Sequence, residues 1–586
     1  MRQWMVAAKK ADFYAIAEKF HVDPVVARII RNREVIGEKN IRIYLGGNLS
    51  DLSDPHQMKD MDRLGEILAQ KIRKQVHIRI IGDYDVDGVT SSHLFLTALR
   101  RVGAKVDVVI PHRIQDGYGL SLHLLQQAKE DGVDTILTCD NGIAAIDEIA
   151  WAKAQKMTVL VTDHHAVPFE EHEGRRTEKK SLADAVVNPH QQDCGYPYKE
   201  LCGAGVAWNV IRVLYENYDM DKREAEDLLD FVAMATVCDV MSLTGENRIL
   251  VKEGLKRIRH TKNIGLQALM QACNVQPENI SAYHFGYVLG PCVNATGRLD
   301  TARHALRLFE TGQETEAEEI ARDLVDLNQE RKELTLQGVE MAKKLCEEGG
   351  YENDPVLVLF LPDVHESIAG LIAGRIREMY NRPVFVLTRG EEGVKGSGRS
   401  TENYSMYENM CGCAELFTKF GGHPMAAGLS LPEENVEKFR RKINENCPLT
   451  VEEVCPDIHI DMAMPVGYAS TELVHQFALL EPFGKDNPSP LFADRNLSIS
   501  RMWVIGKNRN VLRMSVLSEY GQPVPVIFFG DVETLFAYFT EKFGQEEVEN
   551  ALHGRKNRIL FSMVYTAKID FYQGNENLQL EMKYYR

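Results

Sequence analysis

Three carboxylates, Asp83, Asp85 and Asp87, fall within the stretch HIRIIGDYDVDGVTSS (77–92). Clustered negative charges repel one another, and a bound cation is the local remedy. The D-x-D-x-D-G string is similar to a calcium loop of the EF-hand type, but the twelfth position, which needs a bidentate Glu, is Leu94. The competing reading is a solvated helix N-terminus, where acid favours the helix dipole. Three more positions carry ligand chemistry: Asp140 in TCDNGI, the run Asp163-His164-His165, and Asp239 closing the apolar run FVAMATVCDV. An acid at the end of such a run is more often a helix cap than a ligand.

The elements that must position these groups follow from hydrophobic period. Residues 77–81 alternate as a strand does, and a helix with Leu94, Leu96 and Leu99 follows. Further strands are expected at 106–110, 135–139, 158–162 and 185–187, with a helix around 143–155. Such alternation implies a parallel sheet wrapped by helices. Parallel strands bring their C-terminal ends to one edge, where open α/β sheets place ligands. Acids at three successive strand ends therefore converge, and this convergence favours the metal reading over the solvated one.

Residues 1 to about 75 read as short helices, and 203 to about 260 as helical. The charged pattern 314–348 predicts one long connecting helix. A second α/β unit starts at Pro355, with two glycine-rich segments, KGSGRS (395–400) and GGHPMAAG (421–428). Glycines there let backbone amides approach a phosphate, beside Arg399 and His423, or else serve hairpins and close packing. After about 455 the pattern becomes short alternating strands interrupted by a helix at 532–543, which suits a small β-barrel such as an OB-fold. Lys507, Arg509 and Arg513 lie near Trp503, and Lys568 lies near Tyr565 and Phe571. That mixture suits a single strand, which needs charge and stacking faces, although barrel aromatics commonly face the core.

Composition sets outer bounds. The chain has 586 residues, 44% hydrophobic and 26% charged, enough for three or four domains. A net charge of −17 argues against a general electrostatic grip on nucleic acid and leaves room for a local basic channel. No apolar run approaches a membrane span, and the N-terminal stretch predicts no signal peptide. The 11 scattered cysteines suit reduced thiols in a cytoplasm, and Cys411 and Cys413 lack the second pair that a zinc site needs.

Together these segments resemble the DHH phosphoesterase superfamily and, within it, the bacterial RecJ single-strand DNA exonuclease family. The motifs are GDYDVDG (82–88), Asp140, Asp163-His164-His165, Asp239, PHRIQDGYGLS (111–121) and GPCVNATGRLD (290–300). His365-Glu366, Gly396 to Arg399 and Gly421-Gly422-His423 look like the associated DHHA1 domain, and EPFGKDNPSPLF (481–492) looks like the entry to the family's OB domain. The implied α/β architecture is an N-terminal helical segment (1–75), a parallel-sheet DHH catalytic domain (76–310), a long connecting helix (311–350), a DHHA1 substrate-binding domain (351–454) and an OB-like barrel (455–586). The implied activity is 5′-to-3′ hydrolysis of single-stranded DNA to nucleoside 5′-monophosphates, in repair and recombination, beside a single-strand-binding protein and a helicase.

By the same resemblance, two Mn²⁺ or Mg²⁺ ions bind. Asp83 and Asp85 serve one, Asp87, His164 and Asp239 the other, and Asp140 bridges them. A carboxylate-rich set with one imidazole favours these ions over zinc. Asp163 and His165 orient ligands or stabilise developing charge. Arg113, Tyr118, Asn294, Arg298, His365, Ser397, Arg399, Gly422 and His423 are the implied substrate contacts. Two positions depart from the pattern: Cys292 stands where Arg is expected, and Ile81 where some members carry a metal-binding His. Two alternatives stay open: a DHH phosphodiesterase for short oligonucleotides or cyclic dinucleotides, and a non-catalytic DHH scaffold. The second should lack several of the acids that this chain retains.

Overall fold

The computed structural model describes residues 3–586 except 114–115, 117–118, 173–174, 352, 391–392, 456, 507–508 and 573. The chain divides into two units, one built on Asn48–Pro456 and the other on Gln3–Gly47 with Asp457–Arg586. The helical segment expected over 1–75 is thus shared between them, with the division after Gly47. No helix among the described residues is long and apolar enough to cross a membrane.

In the first unit, β1 (Ile78–Ile81), β2 (Val106–Val109), β3 (Thr135–Cys139), β4 (Thr158–Thr162) and β5 (Ala185–Val187) form a wholly parallel sheet in the order β2-β1-β3-β4-β5. The sequence of β1 alternates, yet all four of its residues are buried. Helices cover both faces of a parallel sheet, so its central strands need no polar side. A charged hairpin, Phe169–His172 with Arg175–Glu178, has no apolar period and gives no strand signal in the sequence.

Five helices complete the part that matters for the site. They are α1 (Val86–Arg101), α2 (Gly203–Glu216), α3 (Leu229–Cys238), α4 (Ile264–Ala272) and α5 (Gly290–Leu299). The 35-residue α6 (Glu314–Glu348) is about 52 Å long at 1.5 Å per residue. Its Ala317, Ile320, Ala321 and Leu324 enter the core of the parallel-sheet domain. Its Val339, Ala342 and Cys346 enter the core of the next domain. One helix is therefore a strut fixed at both ends by apolar burial.

That next domain is a five-stranded sheet. β6 (Leu357–Phe360) precedes α7 (Ala369–Tyr380), and β7 (Val384–Gly390), β8 (Gly393–Arg399), β9 (Lys419–Gly422) and β10 (Ala426–Leu431) follow, in the order β9-β10-β8-β7-β6. β6 and β7 are parallel and the rest antiparallel.

In the second unit, β11 (Phe492–Ile505), β12 (Val511–Leu517) and β13 (Pro523–Phe529) are followed by α8 (Val532–Phe543), β14 (Leu560–Tyr572) and β15 (Asn575–Tyr585). The order β11-β12-β13-β15-β14 closes on itself through β14–β11 pairing, a five-stranded barrel of the OB kind. Val25, Val26, Ile29 and Ile30 from the N-terminal helices share the apolar core of this unit.

Candidate active site

β1 delivers Asp83 one residue past Gly82, and Asp85 caps α1 by accepting from Gly88 N at 3.0 Å. A Cβ at Gly88 would lie 2.5 Å from the Asp83 backbone, so only glycine lets this turn fold so tightly. Asp87, in the first turn of α1, accepts from Gly203 N at 2.6 Å and Ala204 N at 2.8 Å. An anion at the N-terminus of α2 satisfies amides that the helix leaves unpaired. Asp140 follows β3 in a left-handed backbone conformation, φ +62°, against Gly203, where a Cβ would fall 2.6 Å from its own.

His164 Nε2 lies 3.1 Å from Asp140, 3.6 Å from Asp239 and 3.7 Å from Asp87. Asp239 is both readings at once, the C-cap residue of α3 and a neighbour of His164. Three sets have ligand atoms within 4.8 Å of one another: Asp83, Asp85 and Asp140; Asp87, His164 and Asp239; and Asp140, His164 and His165. Asp140 joins the first set to the third. Asp163 lies beneath them. One of its oxygens accepts from His164 N, His165 N and His165 Nδ1 at 2.7, 3.0 and 2.8 Å, and the other from Ile143 N at 2.9 Å. Asp163 therefore holds the His165 ring and the backbone of both histidines.

Burial, reinforced by the neighbouring carboxylates, holds Asp83 and Asp140 well above the ordinary carboxylate range and also raises Asp85. Burial lowers His164, leaving a neutral imidazole. Burial opposes protonation of His165, but the Asp163 hydrogen bond and the surrounding acids outweigh it, to about 9. Burial would raise Asp163, yet the hydrogen bond and charge of His165 hold it low. Asp83 Oδ1 and His164 Nε2 are buried without a hydrogen bond. Oxygen-rich, mutually repelling ligands with such orphaned atoms fit hard divalent cations. Ile81 is wholly buried in the apolar core.

Beside this cluster lies a cavity of about 440 Å³, lined on one side by Tyr84 and Arg113 and on the other by Ser367, Lys395, Ser397 and Lys419. Arg113 stacks over the Tyr84 ring at 4.8 Å. Arg298 donates to Ser367 O at 2.6 Å; burial and the charges of Arg113, Arg331 and Arg399 lower it to about 10. Arg399 donates to Gly398 O at 2.7 Å; burial, then Arg113, lowers it as well. Among the described residues, Arg113, Arg298 and Arg399 form no salt bridge with an acid, an arrangement suited to an anion.

The KGSGRS segment turns two different faces outward and inward from one strand, and its glycines serve close packing. Lys395 and Ser397 line the cavity, and the Arg399 guanidinium lies beside Ser397 Oγ. A Cβ at Gly396 or Gly398 would instead strike Leu387 or Met406 in the core. Asn294 is committed to the first motif, accepting from Val86 N at 3.1 Å. His365 is exposed and bonded to Ser367 Oγ, while Gly422 and His423 are exposed on the β9–β10 hairpin and do not line the cavity. Tyr118 lies outside the described residues. Sequence reasoning missed Tyr84, Lys395, Lys419 and the Gly203-Ala204 clamp. The alternation of Lys395, Ser397 and Arg399 was the one available signal.

In the barrel, Trp503 pairs across strands with Arg513, lies near Arg501, and is exposed, as is Phe571. Tyr565 instead is fully buried and donates to Met464 O at 2.8 Å, a core residue with a satisfied hydroxyl. Lys507 lies outside the described residues.

Three segments of the chain match known protein families. The N-terminal domain of the DHH family matches residues 77–236, the DHHA1 domain 353–447 and the RecJ OB domain 460–584. The chain is 32% identical to the single-stranded-DNA-specific exonuclease RecJ of Haemophilus influenzae, over 96% of each chain. The chain belongs to the RecJ exonuclease family. The RecJ of Escherichia coli is 31% identical over 95% of each chain. That of Bacillus subtilis is 33% identical over 87% of this chain and 63% of its own. The crystal structure of RecJ in complex with Mn²⁺ from Thermus thermophilus superposes with a TM-score of 0.79 at 25% identity, covering all of this chain and 79% of that one.

Proposed function

We propose that this protein is a metal-dependent, single-stranded-DNA-specific exonuclease that works from the 5′ end and releases nucleoside 5′-monophosphates. The observation that carries the reading is the pair of ligand sets, Asp83/Asp85/Asp140 and Asp87/His164/Asp239, beside a cavity flanked by arginines without acid partners. The activity of the RecJ relatives supports the substrate class.

Asp83 and Asp85 would hold one Mn²⁺ or Mg²⁺, and Asp87, His164 and Asp239 the other, with Asp140 shared. Bound there, such ions supply an activated water and neutralise charge developing on the phosphoryl oxygens. The remaining work falls to the chain. The α2 amides fix Asp87 so that its carboxylate keeps one orientation. Asp163 fixes the His165 imidazole and the backbone of both histidines, and half-exposed His165 can place positive charge on a phosphoryl oxygen or give a proton to the departing 3′-oxygen. Arg113, Arg298 and Arg399 hold the terminal phosphate region, which aligns the next phosphorus for in-line attack. Asn294 keeps the first motif in place through Val86 N.

The reading extends to setting. Every cysteine among the described residues is a free thiol, which suits a reducing cytoplasm. A need for unpaired strands makes a helicase and a single-strand-binding protein the partner classes that supply and present substrate. The test uses end-labelled single-stranded and duplex DNA of both polarities, with Mn²⁺, with Mg²⁺ and with chelator. Mononucleotides should be released from the 5′ end of single strands only, and only with metal. Cleavage of dinucleotides or cyclic dinucleotides without degradation of long strands would favour the small-substrate phosphodiesterase instead.

A further inference from the structure

Cys292 occupies the position where the family resemblance calls for Arg, and the structure gives its sulfur a specific neighbour. Cys292 Sγ lies 3.8 Å from Cys273 Sγ. No other two cysteine sulfurs are in contact among the described residues. Cys273 is the C-cap residue of α4 and half-buried, while Cys292 lies in the first turn of α5 and is 2% exposed. A buried Asn328 amide donates to Cys292 Sγ at 3.3 Å, and its Oδ1 is held by Arg331 at 2.8 and 3.1 Å. The Cys273 contact lowers the Cys292 thiol against the effect of burial, helped by Asn328 and by the charges of Lys332 and Arg331. The site thus combines two sulfurs in contact, a buried one held by the Asn328 amide and a half-buried one that gives an approach.

We propose that Cys273 and Cys292 form a peroxide-sensitive dithiol whose oxidation to a disulfide lowers the activity of the neighbouring metal site. In the first step a thiolate sulfur displaces hydroxide from hydrogen peroxide, giving a sulfenic acid as the O–O bond breaks. The second thiol's sulfur then attacks that sulfur, the S–O bond breaks, and the oxygen leaves as water with the second thiol's proton. The sum is two thiols and one hydrogen peroxide to one disulfide and two waters. The sulfurs must close from 3.8 Å to about 2.05 Å, the length of an S–S bond.

That contraction acts on α5, which supports the first carboxylate motif. Asn294 accepts from Val86 N, and Gly297 packs so tightly on Tyr84 that a Cβ would lie 2.4 Å from its carbonyl oxygen. Moving the start of α5 toward α4 therefore disturbs the loop that carries Asp83 and Asp85. Displacements of about 1 Å at a catalytic constellation cost on the order of 100-fold in rate.

The test treats the intact 586-residue chain, free of metal, with a small excess of hydrogen peroxide, removes the peroxide with catalase, alkylates, and maps peptides without reduction. One Cys273–Cys292 cross-linked peptide should appear, alkylatable thiols should fall from 11 to 9, and dithiothreitol should reverse both changes. After Mn²⁺ is restored, kcat/KM on single-stranded DNA should be at least about 10-fold lower in the oxidised form and recover on reduction. Cys273→Ser should keep its starting activity and lose the peroxide response. Alkylated or sulfinic sulfurs without a linkage, a linkage with unchanged kcat/KM, or equal peroxide inactivation of Cys273→Ser would each overturn the proposal. The activity arm rests on the exonuclease reading. The peptide map does not, so absence of any basal hydrolysis would count against that reading alone.

Discussion

Asp83 and Asp140 are buried carboxyls whose pKa values lie well above the ordinary range, and metal ligation requires both as carboxylates. The metal-free protein carries protons on these groups at pH values where an exposed Asp has none, so cation binding must expel them. His164, held low and neutral, adds none. Isothermal titration of Mn²⁺ in buffers of different ionisation enthalpy should therefore report net proton release, with affinity falling as pH falls. Affinity independent of pH, without proton release, would contradict the electrostatic account. By linkage, the metal-free fold should lose stability as pH rises through these pKa values, and Mn²⁺ should restore it. The candidate ligand residues were legible in the sequence because nearly all of them follow a strand or open or close a helix. The clamp on Asp87 was not, since Gly203 lies 116 residues away and only the folded chain brings its amide there.

Strand β8 shows how an element divides labour. Its polar side chains Lys395, Ser397 and Arg399 share one face, while Gly396 and Gly398 let the other pack against Leu387 and Met406. The sequence offered phosphate binding and close packing as alternatives, and period 2 permits both. Arg399 has no acid partner among the described residues, and its planar fork suits a phosphate that a lysine cannot grip in the same way. Arg399→Lys should lower kcat/KM on a 5′-phosphorylated single strand by about 10-fold or more, the worth of one charged hydrogen bond, without changing Mn²⁺ affinity. Steady-state kinetics with and without the 5′-phosphate, beside a metal titration, checks this; unchanged kinetics on both substrates would remove Arg399 from the phosphate site. Helical period likewise foretold α6 closely, but not that its two halves enter different cores. In the barrel, Tyr565 had the composition of a stacking residue and is core, because composition does not say which way a strand faces.

At the scale of the whole molecule, the N-terminal helices are not an independent segment. Residues 3–47 share an apolar core with the barrel, so deleting only 457–586 would expose Val26, Ile29 and Ile30. A chain of residues 48–456 removes that unit intact. It should hydrolyse very short oligonucleotides at near-normal kcat and lose affinity for long single strands, because the surface carrying Trp503, Arg513 and Phe571 is gone. Equal loss on both substrates, with circular dichroism showing a folded chain, would mean that the barrel unit does more than hold the strand. The central claim is that Asp140 joins two ligand sets into one metal-dependent phosphodiesterase centre. Asp140→Asn tests it most directly, because Asn tolerates the left-handed backbone at this position and keeps the side-chain shape. Single-turnover hydrolysis of 5′-labelled single-stranded DNA with saturating Mn²⁺ should fall by more than about 100-fold, the upper end of what outer-shell changes cost, while the melting temperature is kept. Near-normal turnover in folded Asp140→Asn protein would contradict the account.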